Sequence, residues 1–445
     1  MSDIQKAQKK EFPRRNLLRG CLYGAGGLML AGSGIPLQAA VPRPKAKSVI
    51  QIWMWGGPSH LDTFDPKPDS GSEYCGPLSN PIATNVDGIR IGELLPLLAK
   101  QADKYSIIRS MTHGVFAHET ASYITQTGWK PGGRDVHPSV GAVVSRFKGF
   151  DAGYKGLIPP YIVLTQPQGR FSEAGFMGSR YKPFATGGNP NQQIFAVEGV
   201  VTPGISTKRQ KARRALLHKL DSLAIAAKDN PQMIASNCCE QKAYDLILGD
   251  AGKVFDLSRE EDGLRERYGR NTFGQSCMVA RRLIEQGVPY VTINYKGWDT
   301  HKKHFETMRR KLPEMDKGMS ALIQDLSDRS LLNSTIVWWG GEFGRGPKVQ
   351  NDPPWNGGRS HWGHCFSHLV AGGGFKGGHI VGESDEKGEH VKSRPVYPWD
   401  LTGTIYELLG ISPNVTLPHP QGKKMFVLPS AQDGYRSGGR LTEII

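Results

Sequence analysis

Residues Ser48–Trp55, with the sequence SVIQIWMW, are followed directly by Gly56-Gly57-Pro58 and decide the fold class of this chain. A short, nearly continuous apolar run bounded by glycine and proline is typical of a strand that is buried on both faces of a sheet. The glycines and the proline predict that the chain leaves this strand through a tight loop. Loops at the ends of such strands are where functional side chains are placed.

Similar apolar runs recur further along the chain and alternate with segments of helical periodicity. The predicted strands are 106–109, 161–164, 289–295, 335–339 and 367–371, and the predicted helices are 117–127, 139–147, 277–286, 308–326 and 401–409. Strands that alternate with helices favour a parallel sheet whose two faces are both covered. We therefore expect an α/β fold, with a mainly parallel central sheet and helices on both faces.

The composition is that of a globular protein, and the length allows two or three domains or one large α/β domain with insertions. The chain has 445 residues, of which 38% are hydrophobic, and this share excludes wholesale disorder. Six cysteines in a chain of this length exclude a disulfide-rich scaffold. Residues 165–205 are rich in Gly, Pro, Asn and Gln, and residues 207–270 are charged and predicted to be helical. We expect a single domain over 41–445, with an insertion at about 165–270.

The first forty residues have the features of an export signal. Pro13–Arg19 reads PRRNLLR, an apolar Gly/Leu/Ala-rich stretch follows over Cys21–Ile35, and the small residues Ala39 and Ala40 suit a cleavage region. Paired arginines before such a stretch are typical of the twin-arginine signal. Residues 1–40 are therefore predicted to engage the twin-arginine export machinery, which implies a periplasmic or extracellular protein.

The net charge of +15 favours anionic partners. No RNA-binding motif or single basic face accompanies this charge, so nucleic acid is not an expected partner. An anionic small molecule or a glycan ester is the expected substrate class.

Histidines and acids are concentrated just beyond the predicted strands. The histidines and acids are His60, Asp62, Asp65, His113, His118, Glu119, Asp299, His301, His304, Glu342, His361 and His364. The hydroxyl and arginine residues beside them are Thr120, Ser122, Arg345 and Arg359. Because the carboxyl ends of parallel strands meet at one edge of a sheet, we expect many of these side chains to converge.

Imidazole and carboxylate groups without cysteine pairs favour a divalent metal ion (Zn, Mn, Ca or Fe) over a structural thiolate zinc site. Such an ion polarises a phosphoryl or sulfuryl oxygen, and Arg345 or Arg359 would hold the same tetrahedral anion through two hydrogen bonds. Structural alternatives also exist for individual residues. Glu342 would then cap a helix or pair with Arg345, and Asp62 and Asp65 would close turns.

Several distinctive segments are spread over the chain after residue 40. They are SVIQIWMWGGPSHLDTFDPKP, AHETASYITQTG, VFDLSREEDGLRERYG, RRLIEQGVPYVTINYKGWDTH, GGEFGRGP, GRSHWGH and LVAGGGFKGGHIVGESDEKG. Together they resemble an exported bacterial family of unknown function within the alkaline phosphatase and sulfatase superfamily. Residues Trp399–Thr404 also resemble the strand–helix segment near the end of the sulfatase fold.

The superfamily resemblance implies in-line transfer of a phosphoryl or sulfuryl group at a divalent metal site. By resemblance, the metal ligands would be His60 or Asp62 after the first strand, then Asp299, His301 or His304, Glu342 and His361.

The sequence also departs from the superfamily pattern. Trp55 and Gly56 stand where a metal-binding Asp is usual, and Phe343 stands where a His is usual. His118 aligns with the nucleophile, for which Cys, Ser or Thr is expected. Thr120 or Ser122 would then be the nucleophile, or His118 would form a phospho-enzyme or bind the metal. The catalytic candidates are accordingly His118, Thr120 and Arg345.

Two hypotheses for function follow from these residues. The first is a metal-dependent hydrolase of phosphate or sulfate esters. The alternative is a catalytically degenerate, sulfatase-like module that binds a glycan or a protein partner.

Overall fold

The computed structural model describes residues 44–167, 173–193, 195–197 and 252–445, and the single positions Arg209, Ala212 and Leu216. The twin-arginine signal predicted at residues 1–40 lies outside the described residues. No helix within the described ranges combines the length and the apolar character that crossing a membrane requires.

The strands and helices follow the order that the sequence predicts. The strands are β1 Ser48–Trp55, β2 Ile82–Ala83, β3 Arg90–Ile91, β4 Tyr105–Met111, β5 Tyr161–Leu164, β6 Phe184–Ala185, β7 Tyr290–Lys296, β8 Thr335–Gly340, β9 Gly344–Arg345, β10 His361–Trp362, β11 Phe366–Ala371, β12 His379–Val381, β13 Glu383–Ser384, β14 Val391–Ser393, β15 Thr416–Leu417 and β16 Met425–Phe426. The helices are α1 Ser72–Cys75, α2 Pro96–Ala99, α3 His118–Thr127, α4 Val140–Lys148, α5 Gly252–Phe255, α6 Asp262–Tyr268, α7 Thr272–Glu285, α8 His304–Asp328 and α9 Pro398–Leu408.

Eight strands form the central sheet in the order β12-β4-β11-β8-β1-β7-β5-β6. Strand β1 lies inside the sheet and pairs in parallel with β7 and β8. Strand β11 runs antiparallel to both of its neighbours, β4 and β8, whereas the other pairs in this sheet are parallel. The predicted strand at 48–55 is therefore confirmed, and the sheet is mainly parallel.

Each face of the sheet packs against helices, because alternate side chains of a strand point to opposite faces. Ile50, Ile52 and Met54 belong to the core that includes buried residues of α7 and α8. Val49 belongs to the second core, on the other face, with buried residues of α4 and α9. This arrangement confirms the predicted fold class.

The expected insertion at about 165–270 lies partly outside the described residues. Of its described parts, β6 pairs in parallel with β5 and forms one edge of the sheet. Phe255 of α5 and Tyr268 of α6 are buried in the core that contains α7 and α8.

Candidate metal centre

Three adjacent parallel strands, β8, β1 and β7, deliver the loops that build the site. Gly56 follows β1, Asp299 follows β7 and Glu342 follows β8. Gly56 has φ of 111°, and a Cβ atom at this position would lie 2.2 Å from the backbone nitrogen of Asp299. Only glycine fits where the two backbones come this close, so Gly56 allows the loop after β1 to contact the loop after β7.

The central feature of the site is a cluster of His118, Asp299 and His361, each of which offers one potential ligand atom within 4.8 Å of the others. Nε2 of His118 lies 3.3 Å from Oδ2 of Asp299, and Nε2 of His361 lies 3.1 Å from its Oδ1. The three side chains come from the first turn of α3, the loop after β7 and strand β10. The Asp299 side chain is 43% exposed, so the cluster opens to solvent.

The other ring nitrogen of both histidines in the cluster already has an acceptor. Nδ1 of His118 lies 2.7 Å from Oε1 of Glu342, and Nδ1 of His361 lies 2.7 Å from the backbone oxygen of Phe116. Both Nδ1 atoms therefore donate, and in a neutral imidazole the lone pair is then on Nε2. Two such nitrogens face one carboxylate, and either a proton on each ring or a metal ion between the three groups satisfies this arrangement.

His301 adds a third imidazole to the same carboxylate. Its Nε2 lies 3.1 Å from Oδ1 of Asp299 and 2.9 Å from Nε2 of His361. Nitrogen and carboxylate donors that converge in this way fit Zn²⁺, Mn²⁺ or Fe²⁺. They fit Ca²⁺ less well, since this ion prefers oxygen ligands.

Glu342 is fully buried and fixes the orientation of His118. Its Oε1 accepts hydrogen bonds from His118 and from the backbone N–H of Gly56 at 2.9 Å. Its Oε2 is buried without a hydrogen-bond partner among the described residues. A carboxylate behind a ligating histidine is a common support in metal sites, because it sets the tautomer and the ring orientation.

The charges in the cluster shift the pKa values of its members. Hydrogen bonds to Asp299 and then to Glu342 raise the pKa of His118 to about 9. Burial raises the pKa of Asp299, but hydrogen bonds from His118 and His361 and the charge of Arg345 outweigh burial and hold this pKa well below its usual range. Burial and the charge of Arg345 lower the pKa of His301. Asp299 is therefore ionised at neutral pH and available to a cation.

Arg345 is buried and holds Asp299 in place. Its Nη1 donates to Oδ1 of Asp299 at 2.7 Å and to the backbone oxygen of Gly56 at 3.1 Å, and its Nη2 donates to the backbone oxygen of Arg359 at 2.6 Å. Both terminal nitrogens thus have protein acceptors. Arg345, a candidate clamp for an anion, thus contacts a carboxylate of the cluster.

The structure places Asp62, His304 and Arg359 in a separate, fully buried cluster. Oδ2 of Asp62 lies 2.8 Å from Nε2 of His304 and 3.0 Å from Nε of Arg359. Nδ1 of His304 lies 2.6 Å from the hydroxyl of Thr300. Burial raises the pKa of Asp62, but Arg359 and His304 outweigh it and keep the carboxylate ionised. These groups satisfy one another and do not join Asp299.

The remaining candidates are not members of the cluster. His60 is buried with its Nε2 2.8 Å from the backbone oxygen of Gly388. Thr120 lines a neighbouring cavity of about 260 Å³ with Tyr123 and Asp135. Ser122 is fully buried in α3.

Two residues contribute contacts to the site that the sequence pattern does not predict, although Phe343 itself stands out in the sequence as a departure from the superfamily pattern. The backbone oxygen of Phe116 orients His361, and no side-chain pattern reveals such a contact. The ring of Phe343 packs against both His118 and His361, with centroid distances of 4.9 and 4.7 Å. Its position directly after Glu342 is the one signal that the sequence offers.

Among solved structures, the chain is similar to a protein in the alkaline phosphatase superfamily from Vibrio parahaemolyticus, with 10% identity over 83% of this chain and 67% of that one and a TM-score of 0.38. It is also similar to the PsFucS1 sulfatase from Pseudoalteromonas sp. (13% identity, 84% and 69% covered, TM-score 0.35). A third is the C-terminal periplasmic domain of EcEptC from Escherichia coli in complex with Zn (10% identity, 86% and 88% covered, TM-score 0.36). Identity and TM-score are low, so no residue role carries over from these structures.

No curated protein matches this chain. One family model matches residues 46–432, which is most of the chain and includes every member of the cluster. The chain therefore belongs to the family described as protein of unknown function DUF1501.

Proposed function

We propose that this chain is an exported, metal-dependent hydrolase of phosphate or sulfate esters. In this proposal His118, Asp299 and His361 bind the ion, His301 is a further ligand, and the twin-arginine signal directs the protein to the periplasm or the cell exterior. The observation that carries the proposal is the pair of histidines whose Nε2 atoms face one ionised carboxylate.

The residues around the ligands prepare them for a cation. Glu342 accepts a hydrogen bond from the Nδ1–H of His118 and so keeps Nε2 directed at Asp299. Arg345 holds Asp299 in its ionised form and in one orientation. A bound divalent ion would polarise the ester oxygen and lower the pKa of a coordinated water.

The attacking group in this proposal is water rather than a side chain. Both ring nitrogens of His118 are engaged, with Glu342 and Asp299, so we assign this residue to ion binding. Thr120 lines a different cavity and Ser122 is buried, and these positions argue against either hydroxyl as the nucleophile. The substrate class remains an anionic small molecule or a glycan ester, as the positive net charge favours.

Metal analysis with an activity panel tests the proposal. Purified protein should contain close to one Zn, Mn or Fe ion per chain, and anomalous scattering should place the ion between His118, Asp299 and His361. A panel of phosphate and sulfate esters should include a substrate whose turnover is lost in His361→Ala and in Asp299→Ala. If the purified protein takes up no divalent ion and hydrolyses no ester of the panel, the hydrolase proposal is wrong.

A binding module is the second candidate, and the residue at the start of α3 favours it. His118 stands where a nucleophile with a hydroxyl or a thiol is expected from the superfamily resemblance, and Phe343 stands where a further ligand is expected. A module of this kind would bind the ion and a glycan or protein partner but turn over no ester. When the metal is bound, hydrolysis of an ester of the panel indicates the hydrolase, and binding of a partner without hydrolysis indicates the binding module.

A further inference from the structure

A second cavity, of about 420 Å³, lies beside the candidate metal centre. It is formed by the chain between β9 and β10, by β10 itself and by Glu389. Its lining includes the indole rings of Trp355 and Trp362 and the polar side chains of Gln350, Asn351 and Asp352. Small-molecule sites span roughly 300–1,000 Å³, so this volume suits a compact ligand.

Strand β10 separates this cavity from the cluster. His361 pairs with Arg345 across the β9–β10 ladder, and both side chains contact Asp299. Successive side chains of a strand point to opposite faces, so Ser360 and Trp362 line the cavity on the other side of β10.

Trp355 connects the two sites. Its ring centroid lies 6.0 Å from that of His301, and the His301 ring lies 4.5 Å from that of His361. A ligand that contacts Trp355 is therefore one ring away from the cluster. An extended ligand of two or more units would pass over Trp355 and His301 and contact both the cavity and the cluster.

The lining has the chemistry that recognises a sugar ring. Trp355 and Trp362 are only partly buried and offer apolar faces for the C–H groups of a sugar. Gln350 and Asn351 provide both donors and acceptors, and Asp352 and Glu389 provide strong acceptors, which matches the hydroxyl groups around such a ring.

The charges in the cavity favour a neutral ring over an anionic one. The cation in its lining, Lys348, lies 3.2 Å from the carboxylate of Glu73. Of the two carboxylates in the lining, that of Glu389 interacts with Lys387 and accepts from the hydroxyl of Tyr74 at 3.3 Å, whereas that of Asp352 has no ion-pair partner among the described residues. A sulfated or phosphorylated ring would meet the unpaired carboxylate of Asp352 and no unpaired cation of the lining, which is unfavourable.

We propose that this cavity is a subsite for an uncharged sugar ring, adjacent to the ring whose ester group reaches the metal centre. The order of the two rings rests on the proposed function, whereas sugar binding in the cavity does not. The inference narrows the substrate class to a glycan that carries its ester on one ring and an unmodified ring beside it.

Calorimetric titration of the full chain with neutral hexasaccharides tests the subsite. The probes are cellohexaose, maltohexaose, laminarihexaose, xylohexaose and chitohexaose, each with the protein in EDTA and with the protein in Zn²⁺. We expect at least one of them to bind in both conditions. Trp355→Ala should weaken that binding by at least about tenfold, and Trp355→Phe should recover part of it, because a ring face remains.

Phe426→Ala is the matched control, since Phe426 is an exposed aromatic residue of β16 that does not line the cavity. It should bind the hexasaccharide as the wild type does. Circular dichroism shows whether each variant is folded. If Trp355→Ala is unfolded, the affinity of Trp355→Phe relative to the wild type still tests the subsite.

The outcomes separate the subsite from the proposed function. If none of the hexasaccharides binds, or if Trp355→Ala binds as tightly as the wild type, the subsite is overturned even when esters are hydrolysed. If binding depends on Trp355 while no metal is taken up and no ester is turned over, the subsite stands and the hydrolase proposal fails.

Discussion

Glu342 is buried and orients the imidazole ring of His118 through a hydrogen bond of 2.7 Å. In Glu342→Gln the negative charge behind the ring is lost, although the Gln oxygen still accepts from the backbone N–H of Gly56. The imidazole of His118 becomes a weaker ligand with a less defined orientation. Loss of such a supporting carboxylate typically costs metal affinity, and we expect a decrease of roughly 10- to 100-fold for Zn²⁺.

Competition with a chromophoric chelator measures this decrease for Glu342→Gln. Glu407→Gln is the matched control, because Glu407 pairs with Arg440 away from the site and its loss should leave zinc affinity unchanged. Equal affinities for the wild type and Glu342→Gln would mean that Glu342 does not support the ion.

The sequence predicts convergence at the sheet edge but not the partner of each side chain. His118, Asp299 and His361 lie in segments that reach this edge, so their proximity follows from the topology. Asp62 follows β1 and His304 begins α8, which are equally suitable places, yet Asp62 pairs with both His304 and Arg359 in the interior. The choice depends on the loop conformation, which residue type and spacing do not encode.

The Asp62 cluster should be essential for stability rather than for metal binding. Asp62→Ala leaves the guanidinium of Arg359 buried without its counter-ion, and both side chains are at most 1% exposed. Breaking a buried pair from one side costs roughly 3–5 kcal/mol of unfolding free energy. Urea denaturation measures this loss.

Asp262→Ala is the control for this prediction. It removes an ion pair to Arg270 from a side chain that is 89% exposed, and exposed pairs contribute little. A stability of Asp62→Ala close to that of Asp262→Ala would contradict the structural role of the Asp62 cluster.

At the scale of elements, strand β11 brings His361 to the site. The sequence predicts a strand at 367–371 but not its direction, because periodicity is the same for a parallel and an antiparallel strand. As β11 is antiparallel to β8, its start lies at the edge where the parallel strands end. The preceding β10, with His361, therefore reaches Asp299. Strands β6 and β12 are too short to give a recognisable pattern.

His368 within β11 makes the stability of the sheet dependent on pH. It is fully buried, the indole N–H of Trp338 donates to its Nδ1 at 3.1 Å, and its Nε2 lies 3.0 Å from the backbone oxygen of Gly341. Burial lowers the pKa of His368 to about 4. In the unfolded chain the pKa is near 6.5, so the unfolded state binds a proton first as the pH falls. The stabilisation that depends on neutral His368 is therefore fully present above pH 6.5. As the pH falls from 6.5 to about 4, the free energy of unfolding decreases by roughly 3 kcal/mol.

Urea midpoints of wild type and His368→Gln between pH 7.5 and pH 4 test this titration. The variant has no imidazole to protonate, so its stability should fall less steeply over this range, although it starts lower at pH 7.5. His379→Gln, at an exposed position of β12, should keep the wild-type slope. Parallel curves for wild type and His368→Gln would contradict the prediction.

At the scale of the whole molecule, the cluster joins parts of the chain that are far apart in sequence. His118 begins α3, Asp299 follows β7 and His361 lies in β10, and the three separations are 181, 62 and 243 residues, taken from the residue numbers. The unfolded chain does not hold these three groups together. An ion that binds them is therefore linked to the folded state, and its binding free energy adds to the stability of the fold.

Thermal unfolding at increasing zinc concentration tests this linkage. After treatment with EDTA, the midpoint of wild type should rise with each addition of Zn²⁺, and at 100 times the dissociation constant the gain is about 2.7 kcal/mol. His361→Ala should remove most of the shift, because it removes one of the three side chains whose ligand atoms lie within 4.8 Å of one another. His379→Ala should retain the shift, since His379 is exposed and lies outside the cluster. A midpoint that is independent of zinc in the wild type would mean that the three groups are held together by protons and hydrogen bonds alone, and the assignment of an ion to them would have to be abandoned.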